Sequence, residues 1–351
     1  MFRCKLSLLA VCLSGACFFL ASCATVGTAV SGYAVGESEP GWLRNGVHQR
    51  YNKQEYLTAV GHGGSMQAAE MDALRALVSI FGVSVQVDTR MAETFRGIEG
   101  GVGSHNVDYG SEITLGAGMD NLIGAEIGDR WDSRRGNFSA LAVLNKARAE
   151  QTYTDLIRAN QTAITNLTNL PAGEKNSLAG FSRFQLAAVV ADINTNYATV
   201  VTEVSGSRPQ GLRSGDDYRR EAQEIAAAIP VVIRITNDSN QRLQGAFAKV
   251  FTELGFRTGG ANSRYALVVN VSLRPSEQQT ANVVFSQMEL SANLVDNNSR
   301  AVLLPFTFTL REGHANQAGA DNRAFIVAEQ KIASEYPSIL SEYLSQLSTR
   351  K

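Results

Sequence analysis

Past residue 54 the apolar positions switch repeatedly between a spacing of two and a spacing of three to four, and each switch marks an element. EYLTAVG (55–61) reads as a strand, His62-Gly63-Gly64 as a tight junction, and Ser65 as the N-cap of a helix reaching Phe81. Met66, Ala69, Ala73, Leu77 and Ile80 share one stripe of that helix, which predicts a face laid on a sheet. GVSVQVD then alternates Val83, Val85 and Val87 against Ser84, Gln86 and Asp88, the pattern of a half-buried strand. Residues 97–110 are glycine-rich and without period, so they read as a loop. Asn121–Trp131 and Asn137–Asn145 are strand candidates joined by DSRRG, whose Asp132 and Gly136 suit a hairpin turn.

From Lys146 to Leu170 the period becomes helical, with Ala149, Tyr153, Leu156, Asn160, Ile164 and Leu167 on one stripe. Pro171 and Gly173 interrupt it, and a second stripe runs from Phe181 through Leu186, Val189 and Ile193 to Val204, so the two segments predict an antiparallel helical hairpin. SGSRPQGLRSG (205–215) is polar and rich in Gly, Ser and Pro, the composition of a linker. Beyond it comes a helix from Asp216 or Asp217, the strand PVVIRIT, and a helix capped from Asn237–Ser239 with Leu243, Phe247, Val250 and Leu254 on one face. Strand candidates follow at Tyr265–Arg274, Val283–Val295 and Val302–Arg311, then a helix over 321–347 carrying Pro337. Pro305 cannot donate to a ladder, which predicts an edge position or a bulge for the last strand. The fold class is α+β: an N-terminal sheet with a packed helix (54–145), a helical hairpin (146–204), a linker (205–215) and a β-α-β-β-β-α domain (216–351).

The first 53 residues follow another logic. Arg3 and Lys5 precede a run from Leu6 to Ser22 without a charge, shorter than the ~20 apolar residues of a spanning helix and closed by small residues. This is a secretory signal shape over 1–22, and 23–53 reads as a tether. All four cysteines, Cys4, Cys12, Cys17 and Cys23, lie within the first 23 residues, and the cysteine-free remainder suits an oxidising compartment. Leu20-Ala21-Ser22-Cys23 resembles the lipobox of bacterial lipoproteins, which implies cleavage before Cys23, a diacylglycerol on its sulfur and an acylated amino group. Several acyl chains anchor stably where one is marginal. Ala24, in place of an aspartate, points to the outer membrane.

Composition narrows the rest. Hydrophobic residues make up 44% and charged residues 19%, the balance of a folded globular protein, and the formal net charge of −1 supplies no field for nucleic acid or anionic lipid. His48, His62, His105 and His314 are scattered rather than set at ligand spacing, no Gly-x-Ser-x-Gly elbow appears, and Asp216-Asp217 reads as a helix start rather than an acid–base pair. No catalytic residue, metal or cofactor is expected, and the chain reads as a non-enzyme. The Gly61–Ser65 junction has the glycines of an anion cradle but no Walker lysine, so a turn is the favoured reading. Trp42 and Phe285 are candidate interface residues, Phe285 because Val283–Val295 carries apolar side chains on both faces.

YLTAVGHGGSMQAAEMDALRALVSIFGVSVQVDTR, followed by IGDRW and FSALAVLNKARA, resembles the membrane-associated lipoprotein-20 family, which includes FlgP-like flagellar lipoproteins. The resemblance covers residues 54 to about 150. It implies an outer-membrane lipoprotein that assembles with other envelope proteins, in some members around the flagellar motor, and it carries over no catalytic residue. Phe138-Ser139 stands where that family has aromatics. The second domain is similar, in strand order alone, to the α/β domains of the TolB N-terminus and the CsgG group. The expected function is partner binding or self-association in the envelope; the alternative is a peptidoglycan- or glycan-directed module or hydrolase.

Overall fold

The computed structural model describes residues 34–35, 38–82, 122–238, 241–260, 262–276 and 282–349. The expected strand at 83–88, the loop at 97–110 and Cys23 lie outside them.

The first lobe is a sheet of β1 (Ala34–Val35), β2 (Tyr56–Gly63), β3 (Ala125–Asp132) and β4 (Phe138–Asn145), in the order β1-β3-β4-β2. β2 and β3 both run antiparallel to β4, and β1 pairs parallel with β3. The DSRRG hairpin forms as read, with Arg134 and Gly136 at positive φ and Asp132 Oδ1 accepting the Arg134 N–H. β3 starts later than its pattern suggests, because Gly124 turns the chain at φ +87. The helix Met66–Ser79 (α2) is capped by Ser65, and Ala69, Ala73 and Leu77 face the sheet. Ile80, expected on that stripe, lies past the last helical residue and is 42% exposed.

The hairpin is α3 (Lys146–Thr168) against α5 (Leu178–Ser205), with the single turn α4 (Ala172–Lys175) between them. Helix α5 belongs to two cores at once. Its first half, Phe181 to Ile193, packs with the second lobe, while Ala198, Val200 and Val201 pack with α2, β4 and Tyr153 of the first. The uncapped ends of 206–214 are avoided by a capping box: Ser214 Oγ accepts from Asp217 N, and the Asp217 carboxylate accepts the Ser214 N–H. Asp217 thus starts a helix, α6 (Gly215–Ala228).

The second lobe has the strand order β5 (Val231–Thr236), β6 (Tyr265–Pro275), β7 (Val284–Asp296), β8 (Ala301–His314), with α7 (Arg242–Glu253) and α8 (Gln317–Thr349) in the expected β-α-β-β-β-α sequence. β5 is parallel to β6 and the other pairs are antiparallel. Asp238 supplies the cap, accepting Leu243 and Gln244 N–H groups. β8 is an edge strand with a register shift opposite Leu294/Val295, so Pro305 is accommodated as the sequence requires. Helices α5 to α8 cover one face of this sheet, where Leu267, Val269, Met288, Leu290 and Leu294 are buried. Tyr336 of α8 meets Phe247 edge-on at its centre.

Candidate functional site

At Gly61–Ser65 the structure shows why glycine is needed. A Cβ at Gly61 would stand 2.0 Å from Ala73 N and 2.4 Å from Ala69 O, and one at Gly63 would stand 2.6 Å from Ala69 N. These glycines let α2 lie directly on β2. β2 runs through His62 and Gly63, which pair with Ser139 and Phe138, so the expected tight junction shrinks to Gly64. The donors that would form a cradle are already engaged: the His62 N–H donates to Asp72 Oδ2 at 2.9 Å, and Ser65 Oγ takes the Ala68 N–H. A carboxylate at this mouth repels an anion.

The opposite face of the first sheet is covered by residues 38–53, which the sequence pattern left as an approach to the fold. Trp42, in the short helix α1 (Gly41–Asn45), is 4% exposed and packs with Tyr51, Trp131, Leu141 and Val143. Its Nε1–H donates to Asp129 Oδ2 at 3.0 Å, and His48 Nε2 lies 3.2 Å from the same oxygen. His48 Nδ1 accepts the Arg50 N–H, so the neutral ring carries its proton on Nε2 and donates it to Asp129. Asp129 follows a bulge at Gly128, where a Cβ would stand 2.6 Å from the Tyr51 ring. Trp42, His48 and Asp129 form a latch that holds the strap down. All three bonds are internal, and the sequence gives no hint of them because Trp42 and Asp129 are 87 positions apart.

The second sheet has one covered face and one open one. Register lines up its outward side chains in rows across the strands: Thr236–Asn270–Ser291–Thr307, then Ser272–Glu289–Thr309, then Arg274–Gln287–Arg311. Thr236, Asn270, Ser272, Arg274, Thr307, Thr309 and Arg311 are exposed. The first two rows line a shallow depression of about 490 Å3. Arg274 pairs with Glu289 at 2.6 Å, and Gln287 donates to the same carboxylate oxygen. Phe285 lies at one end of this face, half-buried, with the Arg311 guanidinium 4.1 Å above its ring. The strand that carries Phe285 is interior, between β6 and β8, and Phe285 is its only large apolar side chain at the far end of a polar face. At the edge, Val302 is 57% exposed.

Where the first half of α5 meets α6, Asp192 is 4% exposed and ion-paired with Arg219, whose second arm reaches Asp216. Burial holds the Asp192 carboxyl above its ordinary value despite the guanidinium. Arg219 is shifted up: partial burial works against its charge, but the bond and charge of Asp192 outweigh it. The pair therefore favours the cation while leaving the carboxylate costly, as expected for a charge sunk at a helix contact. Deeper in the hairpin, Asn160 Nδ2 donates to Asn194 Oδ1 at 2.8 Å. A groove of about 620 Å3 between α7 and α8 is edged by Arg242, which binds Glu329 and Asn322, and by Lys249. Among the described residues no three His, Cys, Asp or Glu side chains form a metal-holding group, and no helix is long and apolar enough to cross a membrane. His314 Nδ1 accepts from Asn316 N, and His105 falls outside the described residues.

Comparison with known proteins adds a family. Residues 40–145 match the model of the LPP20 lipoprotein family, which takes in the strap, the whole of β2 to β4 and α2. The resemblance read from the sequence is thus shown, and it extends upstream to include Trp42 and His48. No curated protein sequence matches the chain. Among solved structures, a secreted protein from Helicobacter pylori is similar at 13% identity and a TM-score of 0.42, over 80% of this chain and 98% of its own. A minor lipoprotein from Acinetobacter baumannii (12% identity, TM-score 0.25) matches 34% of this chain and 91% of its own. The PelC dodecamer from Paraburkholderia phytofirmans (18% identity, TM-score 0.23) matches 35% and 89%.

Proposed function

We propose that this chain is a lipid-anchored envelope protein of the bacterial outer membrane, acylated at Cys23, which acts by assembling with other envelope proteins or with its own copies rather than by catalysis. The LPP20 lipoprotein match over residues 40–145 carries this reading, since a lipoprotein-family lobe begins 17 residues after a cysteine that ends LASC. It supports an envelope lipoprotein directly; the outer membrane, the acyl chains and the partner are the further step. The contact we assign to a protein partner is the β8 edge beside exposed Val302, because an edge strand offers unpaired backbone groups, whereas Phe285 lies on the interior strand β7. Trp42, buried against the first sheet and bonded to Asp129, is not part of that contact.

Cys23→Ser tests the anchor. The wild-type protein is expected to partition into detergent and to sediment with outer-membrane markers, and the variant to lose both. A wild-type mature N-terminus elsewhere, without lipid mass, would contradict the proposal.

A further inference from the structure

We infer that the uncovered face of the second sheet is a docking platform for an extended, carboxylate-bearing polysaccharide. The inference goes beyond envelope assembly and does not depend on the lipid at Cys23.

The order of polar and apolar groups on the face carries it. A protein-binding patch has an apolar and aromatic centre inside a polar rim. Here the order is reversed. The central rows are hydroxyls and amides, led by Thr236–Asn270–Ser291–Thr307, and the apolar side chains gather toward the ends, with Val232, Val268, Val295, Val302 and Pro305 on one side and Phe285 on the other. Hydroxyls and amides both donate and accept, which matches a ligand whose every hydroxyl does the same.

The geometry asks for a polymer. The central depression of about 490 Å3 is shallow and lined by two adjacent rows, so it suits a chain lying across it rather than a small molecule enclosed. Successive side chains of a row sit on neighbouring strands ~4.8 Å apart, and successive rows are two residues, ~6.8 Å, apart. One strand spacing is close to the advance of one sugar ring in an extended glycan, so each sugar would meet its own pair of polar groups. Charge then selects the glycan. Among the described residues, Arg234, Arg274 and Arg311 share this face with one carboxylate, Glu289, which Arg274 pairs, so the strand side chains there carry more positive than negative charge on a chain whose net charge is −1.

Binding of the full mature chain to three immobilised polymers tests this: polygalacturonate, neutral dextran and polyglutamate. Polygalacturonate is expected to retain the protein with an affinity at least tenfold above either control and weakening with salt. Asn270→Ala combined with Thr307→Ala should cut that retention about tenfold, and Arg234→Glu several-fold, with unchanged thermal melting in both because the side chains are exposed. Equal retention by polyglutamate would show a face that reads charge alone. That result, no retention by polygalacturonate, or variants that bind as the wild type does would each overturn the proposal, as would a protein partner that the same substitutions release.

Discussion

The two sheets of this protein have similar strand counts and opposite surroundings. The first is covered on both sides, by α2 and the ends of α3 and α5 on one and by the Trp42 strap on the other. The second is covered by helices on one side and left open on the other, where hydroxyl and amide rows replace apolar ones. The difference shows in residue choice. Where another element presses close, the first sheet carries glycine, at Gly61, Gly63 and Gly128. Where nothing presses, the second carries Thr, Ser, Asn and Gln on strands that alternate cleanly with Leu, Met and Val. A covered face is constrained by volume and an open one by chemistry, which is why the candidate binding surface lies in the second lobe although the family match lies in the first.

Substitutions should separate the two faces sharply. The largest effect is expected at the strap. Trp42→Ala removes a buried indole and one of the donors to the Asp129 carboxylate, for a loss of about 3–5 kcal/mol in denaturant melts. Trp42→Phe keeps most of the packing and should lose about 1.5–3 kcal/mol, the share of the bond to a charged acceptor.

Next comes Gly61→Ala, whose added methyl meets backbone atoms of α2 that cannot move aside; about 3 kcal/mol is expected, at the upper end for overpacking. Thr309→Ala on the open face should change stability by less than about 0.5 kcal/mol in the same assay. If the two cost the same, the open face is not open in solution.

A pH-dependent effect is expected where α5 meets α6. Because the Asp192 carboxyl is raised by burial, the native state holds its proton more tightly than the unfolded chain does. Stability from this group is therefore present below the ordinary aspartate pKa of ~4 and is lost as pH rises through the raised value. Asp192→Asn should abolish that slope, as measured by parallel urea titrations at acid and neutral pH.

Much of this was readable beforehand because helices and strands write their periods into the chain. The stripes of α2, α3, α5 and α7, the DSRRG hairpin, the edge position of Pro305 and the order of the second lobe all follow from spacing. Two things were not legible. The strap has no period; its place is fixed by side chains such as Trp42 and His48 meeting Asp129 far along the sequence. The rows of the open face depend on register, and alternation along β6 or β7 says that one face is polar without saying that Asn270, Ser291 and Thr307 stand side by side. A glycine needed for close approach also leaves the same mark as a glycine needed for a turn, which is why β2 runs two residues past its expected end at Gly61.

If the open face of the second sheet is occupied in the envelope, it is shielded there from a reagent that reaches it in solution. No cysteine follows Cys23, so single cysteines report cleanly. Thr307→Cys on the open face and Arg75→Cys on the outer side of α2 would be labelled with a maleimide, in purified protein and in intact native envelopes; both positions are exposed. The account predicts rapid labelling of both variants when purified, and in the envelope strong protection of Thr307→Cys alone. Equal labelling of Thr307→Cys in the two settings would contradict it.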